Sequence, residues 1–258
     1  MSRRLHILLT NDDGIYAPGI AALHKALSRL GRVSVVAPIA EQSAVGHMIT
    51  LAHPLRVVEA VRRGKFFGYG VSGAPADCVK LAALELLKRP VDLVVSGINL
   101  GSNAGVNALY SGTVAAAVEG VMLGIPSMAV SMEFCERPDF GPAAQVARRL
   151  IARIAKDGLR RDMLLNVNVP ARPLSRMKGI QVTPQSRHMP AEGFERRTDP
   201  MGNHYYWIKP WGKYVGDDAG TDVYALKRGY VAITPLHYDL TNHSLLEELR
   251  KSDWLLAK

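Results

Sequence analysis

Short apolar runs alternate with amphipathic stretches through the first two thirds of the chain. The strand-like runs are LHILLT, VSVVAP, VDLVVSG, SMAVSM and MLLNVNVP. Helical periodicity predicts helices from about Pro18 to Leu30, with Gly31 as the stop, and over ADCVKLAALELLKR, TVAAAVEGVML and AAQVARRLIARIA. Strands that alternate with helices are typical of a parallel sheet covered on both faces. We therefore predict an α/β fold: a doubly wound, mostly parallel, Rossmann-like sheet in three α/β/α layers.

The pattern changes after about Pro170, where short extended segments are separated by Gly, Pro and Asn. These segments are IQVTPQ, HYYWIKP and YVAITPL; DPMGNHYYWI has the form of a hairpin turn, and SLLEELRKSDWLL that of an amphipathic helix. We predict a core at 1–180 and, at 181–258, a protruding C-terminal β-hairpin arm with a terminal helix. The arm either covers the site as a lid or is exchanged between subunits. Its aromatic residues favour an interface in a homodimer or homotetramer: Tyr205, Tyr206, Trp207, Trp211 and Tyr214.

Composition narrows the class of protein and its partners. The 258 residues carry a net charge of +9, which favours anionic ligands such as phosphates. The basic residues are dispersed, so we expect no specific nucleic-acid partner. Apolar runs are too short for a membrane span, and the N-terminus has no cleavage site for export. Two isolated cysteines, Cys78 and Cys135, fit a reducing cytoplasm.

The first candidate for chemistry is the acid pair Asp12 and Asp13, which directly follows the first strand-like run. Open α/β sheets place their active sites at the carboxyl ends of strands. Adjacent carboxylates repel each other unless a proton or a cation lies between them, so a divalent metal is the simplest occupant. The alternative is that Asn11 to Gly14 merely form a turn, since turns favour these residue types.

Three further loops that follow strand ends can converge on the acid pair. They carry small polar residues and glycines: Ser43; Asn99 and Asn103; Ser111, Gly112 and Thr113. Carboxylate, amide and hydroxyl oxygens form the shell that Mg²⁺, Mn²⁺ or Ca²⁺ prefers, and a helix start binds phosphate oxygens. The pocket therefore suits phosphoryl transfer. Taken alone, the SGT segment is more simply a helix N-cap.

Several motifs together resemble the SurE family of stationary-phase survival proteins, which are metal-dependent nucleoside 5′-monophosphate phosphatases. The motifs are LLTNDDGIYAPGI, APIAEQSAVGHMIT, GAPADCVKLA, VSGINLGSNAG, YSGTVAAAVEG, DPMGNHYYWI and TPLHYDLTNH, in order along nearly the whole chain. The resemblance implies one divalent cation, Mg²⁺ or Mn²⁺, held by Asp12, Asp13, Ser43 and Asn99. It also implies phosphate contacts from Asn103, Ser111, Gly112 and Thr113, and dimers or tetramers with exchanged C-terminal segments.

Catalysis is assigned to Asp12 and Asp13, with Asp12 either the nucleophile or the carboxylate that activates a metal-bound water. An aspartyl-phosphate phosphatase of the haloacid dehalogenase type needs a D-x-D spacing, whereas these aspartates are adjacent. The expected activity is that of a 5′-nucleotidase, and the sequence leaves open whether 3′-monophosphates and short polyphosphates are also substrates. A nucleotide-binding or interaction module without turnover is the alternative from a different functional class.

Overall fold

A nine-stranded sheet organises the protein. The structure is a computed structural model and describes residues 4–189, 193–209 and 219–252. The strands of this sheet are β1 (Leu5–Thr10), β2 (Gly31–Pro38), β3 (Val57–Arg62), β4 (Lys65–Val71), β5 (Leu93–Leu100), β6 (Ser127–Met132), β7 (Leu164–Val169), β8 (Ile180–Val182) and β11 (Val231–Pro235). Their spatial order is β3-β4-β2-β1-β5-β6-β7-β11-β8.

The central strands are parallel and the edges are mixed. β4, β2, β1, β5, β6 and β7 run in the same direction. β3 is antiparallel to β4, and β11 is antiparallel to β7 while it pairs in parallel with β8. The mostly parallel α/β sheet expected from the sequence is confirmed.

Helices cover both faces of this sheet, as the buried apolar runs of its central strands require. The helices are α1 (Pro18–Leu27), α2 (Pro75–Leu81), α3 (Gly112–Met122), α4 (Gly141–Asp157), α5 (Asp222–Lys227) and α6 (His243–Leu249), of which α6 has no buried residue. The first core cluster includes side chains of α1 and α4, which pack together, and the second includes side chains of α2 and α3, which also pack together. Among the described helices, none is long and apolar enough to cross a membrane.

Some element ends differ from the sequence-based prediction. α1 ends at Leu27 rather than Leu30, and Gly31 begins β2 instead of terminating a helix. A Cβ on Gly31 would lie 2.1 Å from the carbonyl oxygen of Leu5, so the close pairing of β1 and β2 requires a glycine there. α2 ends at Leu81 and continues as a π-helical segment, Ala82–Leu86. The hairpin of β3 and β4 was not predicted at all.

In the C-terminal third of the chain, β8 and β11 belong to the main sheet, whereas two further strands form a separate hairpin. The predicted division at residue 180 falls at the start of β8, and β11 joins the main sheet. A separate two-stranded sheet is formed by β9 (Phe194–Thr198) and β10 (His204–Ile208), which confirms the predicted hairpin turn. From here on, the arm means only residues 193–209, the part of the predicted arm that forms this separate hairpin. Trp211, Tyr214 and the end of the predicted terminal helix lie outside the described residues.

Candidate active site

The acid pair lies where the sheet topology changes direction. β1 lies between β2 and β5, so the chain winds outward from β1 on both sides. Asp12 and Asp13 directly follow β1, and Asn99 lies at the end of neighbouring β5. The crevice outside the carboxyl ends of strands at such a switch point is where open α/β sheets bind their ligands. The topology thus brings two of the predicted loops to one place.

Asp12 is fixed by the start of α3. Its carboxylate oxygen Oδ2 accepts the backbone N–H of Thr113 at 2.9 Å, and Oδ1 accepts the Thr113 hydroxyl. Gly112 permits this approach, because a Cβ there would lie 3.0 Å from Cβ of Asp12 and 3.1 Å from Cγ of Pro75. Asp12 is only 6% exposed. The sequence therefore produces a buried carboxylate held rigidly at a helix N-terminus.

The pKa values of Asp12 and Asp13 are both raised, and no positively charged side chain among the described residues pairs with either carboxylate. Burial raises the pKa of Asp12, although the two hydrogen bonds from Thr113 oppose this. Burial also raises the pKa of Asp13 to about 7, with further contributions from the charges of Asp12 and Glu41. Among the described residues, neither Asp12 nor Asp13 forms an ion pair with Lys, Arg or His. The pair would be stabilised by a cation.

Glu41 is a third carboxylate at this site that the sequence analysis missed. Its charge raises the pKa of both Asp12 and Asp13, which indicates proximity to the pair. It also accepts the hydroxyl of Ser43. Its position in the sequence was suggestive, since Glu41 lies two residues before Ser43 in the APIAEQSAVG segment. Acidic residues in exposed loops are common, however, and the sequence alone gave no reason to select this one.

The segment between β2 and β3, residues 39–56, carries Ser43 to the acid pair. We call it the Ser43 loop. The backbone N–H of Gln42 donates to the carbonyl oxygen of Asp12 at 2.8 Å. Ser43 itself is exposed and donates to Glu41. The loop therefore contacts the acid pair directly, with the Ser43 side chain at the surface beside it.

Asn99 reaches the site through an irregularity in β5. The register of β5 against β6 shifts between Gly97 and Asn99, and such bulges redirect side chains near functional sites. Nδ2 of Asn99 donates to the carbonyl oxygen of Gly101 at 2.7 Å, so Oδ1 is the side-chain atom that can serve as a ligand. The backbone N–H of the next residue, Leu100, faces the Asp13 carboxyl and tends to lower its pKa. The end of β5 and the acid pair are thus in direct contact.

The donor set fits a hard divalent cation. Asp12, Asp13, Ser43 and Asn99 offer only oxygen atoms, which Mg²⁺ and Mn²⁺ prefer. Within the described ranges, no group of three or more His, Cys, Asp or Glu side chains could hold a metal. The cation set stays a prediction supported by the oxygen chemistry and by the raised pKa values of the two carboxylates.

The predicted phosphate contacts at α3 have other partners in this structure. The hydroxyl oxygen of Ser111 accepts the backbone N–H of Val114 at 3.1 Å, so Ser111 is the N-cap. Accepting that bond leaves the hydroxyl hydrogen free to donate elsewhere. Thr113 is fully buried, and both its hydroxyl and its N–H donate to Asp12. Gly112 lies between them at the start of the helix. Phosphate binding by these three residues stays a prediction.

Asn103 lies in a buried amide network on the β6 and β7 side of the site. Its backbone N–H donates to Oδ1 of Asn168 at 2.8 Å, and its Nδ2 donates to the hydroxyl of Ser131 at 2.9 Å. Nδ2 of Asn166 donates to the Asn103 carbonyl oxygen at 2.8 Å. These contacts hold the glycine-rich segment in position. The predicted phosphate contact of Asn103 likewise stays a prediction.

Comparison with known proteins decides the family. The model of the family described as Survival protein SurE matches residues 7–192. The chain belongs to the SurE family. The resemblance inferred from the motifs is confirmed, and the motifs containing Asp12, Asp13, Ser43, Asn99 and the start of α3 all lie within the matched part.

SurE relatives align over nearly the whole chain. The protein named 5′-nucleotidase SurE from Syntrophobacter fumaroxidans is 49% identical, covering 96% of this chain and 99% of the relative. That of Heliobacterium modesticaldum, with the same name, is 48% identical over 97% of this chain and 92% of its own. The solved structure of the SurE protein from Aquifex aeolicus matches with a TM-score of 0.83 at 41% identity, over 95% of this chain and 98% of that chain.

Proposed function

We propose that this SurE protein is a metal-dependent 5′-nucleotidase that hydrolyses nucleoside 5′-monophosphates to a nucleoside and inorganic phosphate. The observation that carries the proposal is the acid pair at the switch point, with Asp12 buried and Asp13 half-buried, in contact with the Ser43 loop, the end of β5 and the start of α3. The names of the full-length relatives support the activity. Both cysteines are free thiols, so we expect a cytoplasmic location.

The cation would be held by oxygens of Asp12, Asp13, Ser43 and Asn99. When bound, a divalent cation neutralises charge on the phosphate and lets a water ionise nearer neutral pH. The positive end of α3, with the Ser111 hydroxyl and the Gly112 N–H, would bind phosphate oxygens. Asn103 would complete the proposed phosphate contacts, and Thr113, whose hydroxyl and N–H both donate to Asp12, would support the phosphate site by fixing that carboxylate.

Hydrolysis requires that a water oxygen attack phosphorus while the bond to the sugar oxygen breaks. Both oxygens of Asp12 accept hydrogen bonds from Thr113, which favours a fixed carboxylate that orients water over a nucleophile that leaves its partners. Asp13, the half-buried member of the pair, would accept the water proton. That proton passes to the departing sugar oxygen. Recognition centred on phosphate would also tolerate 3′-monophosphates and short polyphosphates.

The arm is proposed to pack against a second subunit. The large apolar side chains of β9 and β10 are 41–65% exposed: Phe194, Tyr205, Tyr206, Trp207 and Ile208. An isolated two-stranded hairpin is marginally stable in water, and aromatic residues are enriched in interface cores. We therefore propose a homodimer or homotetramer in which the arm contributes to the interface.

Phosphate release by the wild-type protein tests the proposed function. We expect release from a nucleoside 5′-monophosphate when Mg²⁺ or Mn²⁺ is added, and loss of release in a chelator that is reversed by excess cation. Parallel reactions with 3′-monophosphates and tripolyphosphate measure how far the enzyme accepts other phosphate substrates. Nucleotide binding without release at any cation concentration would contradict the proposal and favour a binding module without turnover.

A further inference from the structure

The Ser43 loop is fixed at its two ends but needs support between them. At one end Gln42 bonds to Asp12. At the other, the N–H and hydroxyl of Thr50 donate to the carboxylate of Asp77 at 3.0 and 2.7 Å. Between these points Ala44 has a φ of 54°, a left-handed conformation that residues with a Cβ rarely adopt. The loop must therefore be held in this shape by contacts from outside.

His47 supplies the side-chain contact in this stretch. Its Nε2 lies 3.0 Å from Oε2 of Glu119, a residue of α3 whose side chain is only 3% exposed. Of the described side chains between 43 and 49, His47 is the one for which a bond to a residue outside the loop is found. The neighbouring backbone N–H of Gly46 also donates to the carbonyl oxygen of Tyr110 at 3.0 Å.

Glu119 is shared between the loop and the adjacent helix. Its second oxygen, Oε1, lies 3.0 Å from Nζ of Lys80 in α2. The hydrogen bond from His47, and to a lesser extent Lys80, lowers the pKa of Glu119. A buried carboxylate is costly unless both oxygens are paired, and here both are. Glu119 therefore joins the Ser43 loop, α2 and α3, and α3 is also the helix whose start fixes Asp12.

We infer that Glu119, acting through His47, is a positioning residue that holds the Ser43 loop so that Ser43 lies within reach of the cation beside Asp12 and Asp13. This inference rests on the proposed function, because it assigns a cation to the acid pair. Neither Glu119 nor His47 touches substrate or cation in this role. Their contribution is to cation affinity, through the position of the loop.

The test compares His47→Leu with His47→Gln. Leucine removes the N–H donor, whereas glutamine offers an N–H to Glu119 without a positive charge. Calorimetric titration of the nucleotide-free protein with Mn²⁺ should give about five- to tenfold weaker binding for His47→Leu, the effect of one lost hydrogen bond. His47→Gln should restore most of that affinity. Arg153→Ala is the control, since it removes an exposed ion pair with Asp157 on α4 and should leave Mn²⁺ affinity within about twofold of wild type.

Amide hydrogen exchange gives a readout that does not depend on turnover. We expect faster exchange at Gly46 in His47→Leu, while Thr50, held separately by Asp77, exchanges as in wild type. Wild-type Mn²⁺ affinity in His47→Leu would overturn the inference even if Gly46 exchanged faster, because the loop would then not set cation binding. Failure of the wild-type protein to bind Mn²⁺ would instead overturn the proposed function and the inference with it.

Discussion

Thr113 donates both its hydroxyl and its backbone N–H to the carboxylate of Asp12. Two bonds from one residue leave the carboxylate little rotational freedom. They also favour its ionised form and so oppose the effect of burial on its pKa. A residue predicted to bind phosphate is thus also the residue that holds the first aspartate.

Thr113→Val should disturb Asp12 while preserving shape. The hydroxyl bond is lost, so the pKa of Asp12 should rise and the acidic limb of the activity profile should move to higher pH. We expect turnover to fall about 10- to 100-fold, as is typical when a reacting group is displaced. Thr113→Ser keeps the hydroxyl and is the matched control. Equal pH profiles for the valine and serine variants would contradict this role.

Asp13 should make the cation-free protein less stable as pH rises. Its pKa is about 7 in the folded protein, whereas an aspartate exposed to water has a pKa of 3.8, so between these values the folded state holds a proton that the unfolded state has lost. The free energy of unfolding therefore decreases with rising pH across this window. Thermal melts in a chelator should show this decrease, and Asp13→Asn should reduce it.

Added cation should restore the stability that is lost at high pH, because it binds the ionised forms of Asp12 and Asp13. Melting temperature at pH 8 should increase with Mg²⁺ or Mn²⁺ in the wild type and much less in Asp13→Asn. A cation-induced shift of equal size in both proteins would show that Asp13 does not contribute to the site.

Ser111 caps α3 and is also proposed to bind phosphate, and substitution of Ser111 separates these two roles. Ser111→Ala removes the cap on Val114 and should cost about 1 kcal/mol of stability. If the hydroxyl also donates to phosphate, KM for a nucleoside monophosphate should rise several-fold. Asn242→Ala removes the cap of α6, where Asn242 accepts from Leu245, and serves as a control that lowers stability alone. An unchanged KM in Ser111→Ala would leave only the capping role.

The arm should govern assembly. Trp207→Ser combined with Ile208→Ser removes two side chains that are 59% and 55% exposed in the single chain. Light scattering on dilute protein should show a multimer for the wild type and a smaller mass for the double variant. Leu240→Ser, at a site 88% exposed elsewhere, is the control and should keep the wild-type mass. A monomeric wild type with full activity would contradict the interface.

The sequence predicted best where local pattern and topology agree. The run before Asp12 is apolar and ends in turn residues, so both the strand and the location of the acids followed from it. The hairpin of β3 and β4 was missed, because β3 is the edge strand, where Val57, Val58 and Val61 are exposed, and because two glycines interrupt the apolar pattern of β4. Edge strands carry little of the hydrophobic periodicity that identifies buried ones.

Contacts between side chains that are far apart in the sequence could not be predicted from local sequence patterns. Glu119 appeared as one charge within an apolar helix, and nothing near it in sequence indicated that His47 and Lys80 would pair with it. Likewise, the SGT segment predicted a helix start, but not that Thr113 would turn its donors toward Asp12. Long-range pairing depends on how the sheet brings loops together, which periodicity does not encode.

Phosphate release by Asp12→Asn tests the central claim most directly. Asparagine keeps the shape of the side chain and removes the charge, so circular dichroism and melting should show a folded protein. With saturating Mg²⁺ or Mn²⁺ and a nucleoside 5′-monophosphate, we predict that kcat falls by about a hundredfold or more. A folded Asp12→Asn variant with near wild-type kcat would contradict the assignment of catalysis to the acid pair.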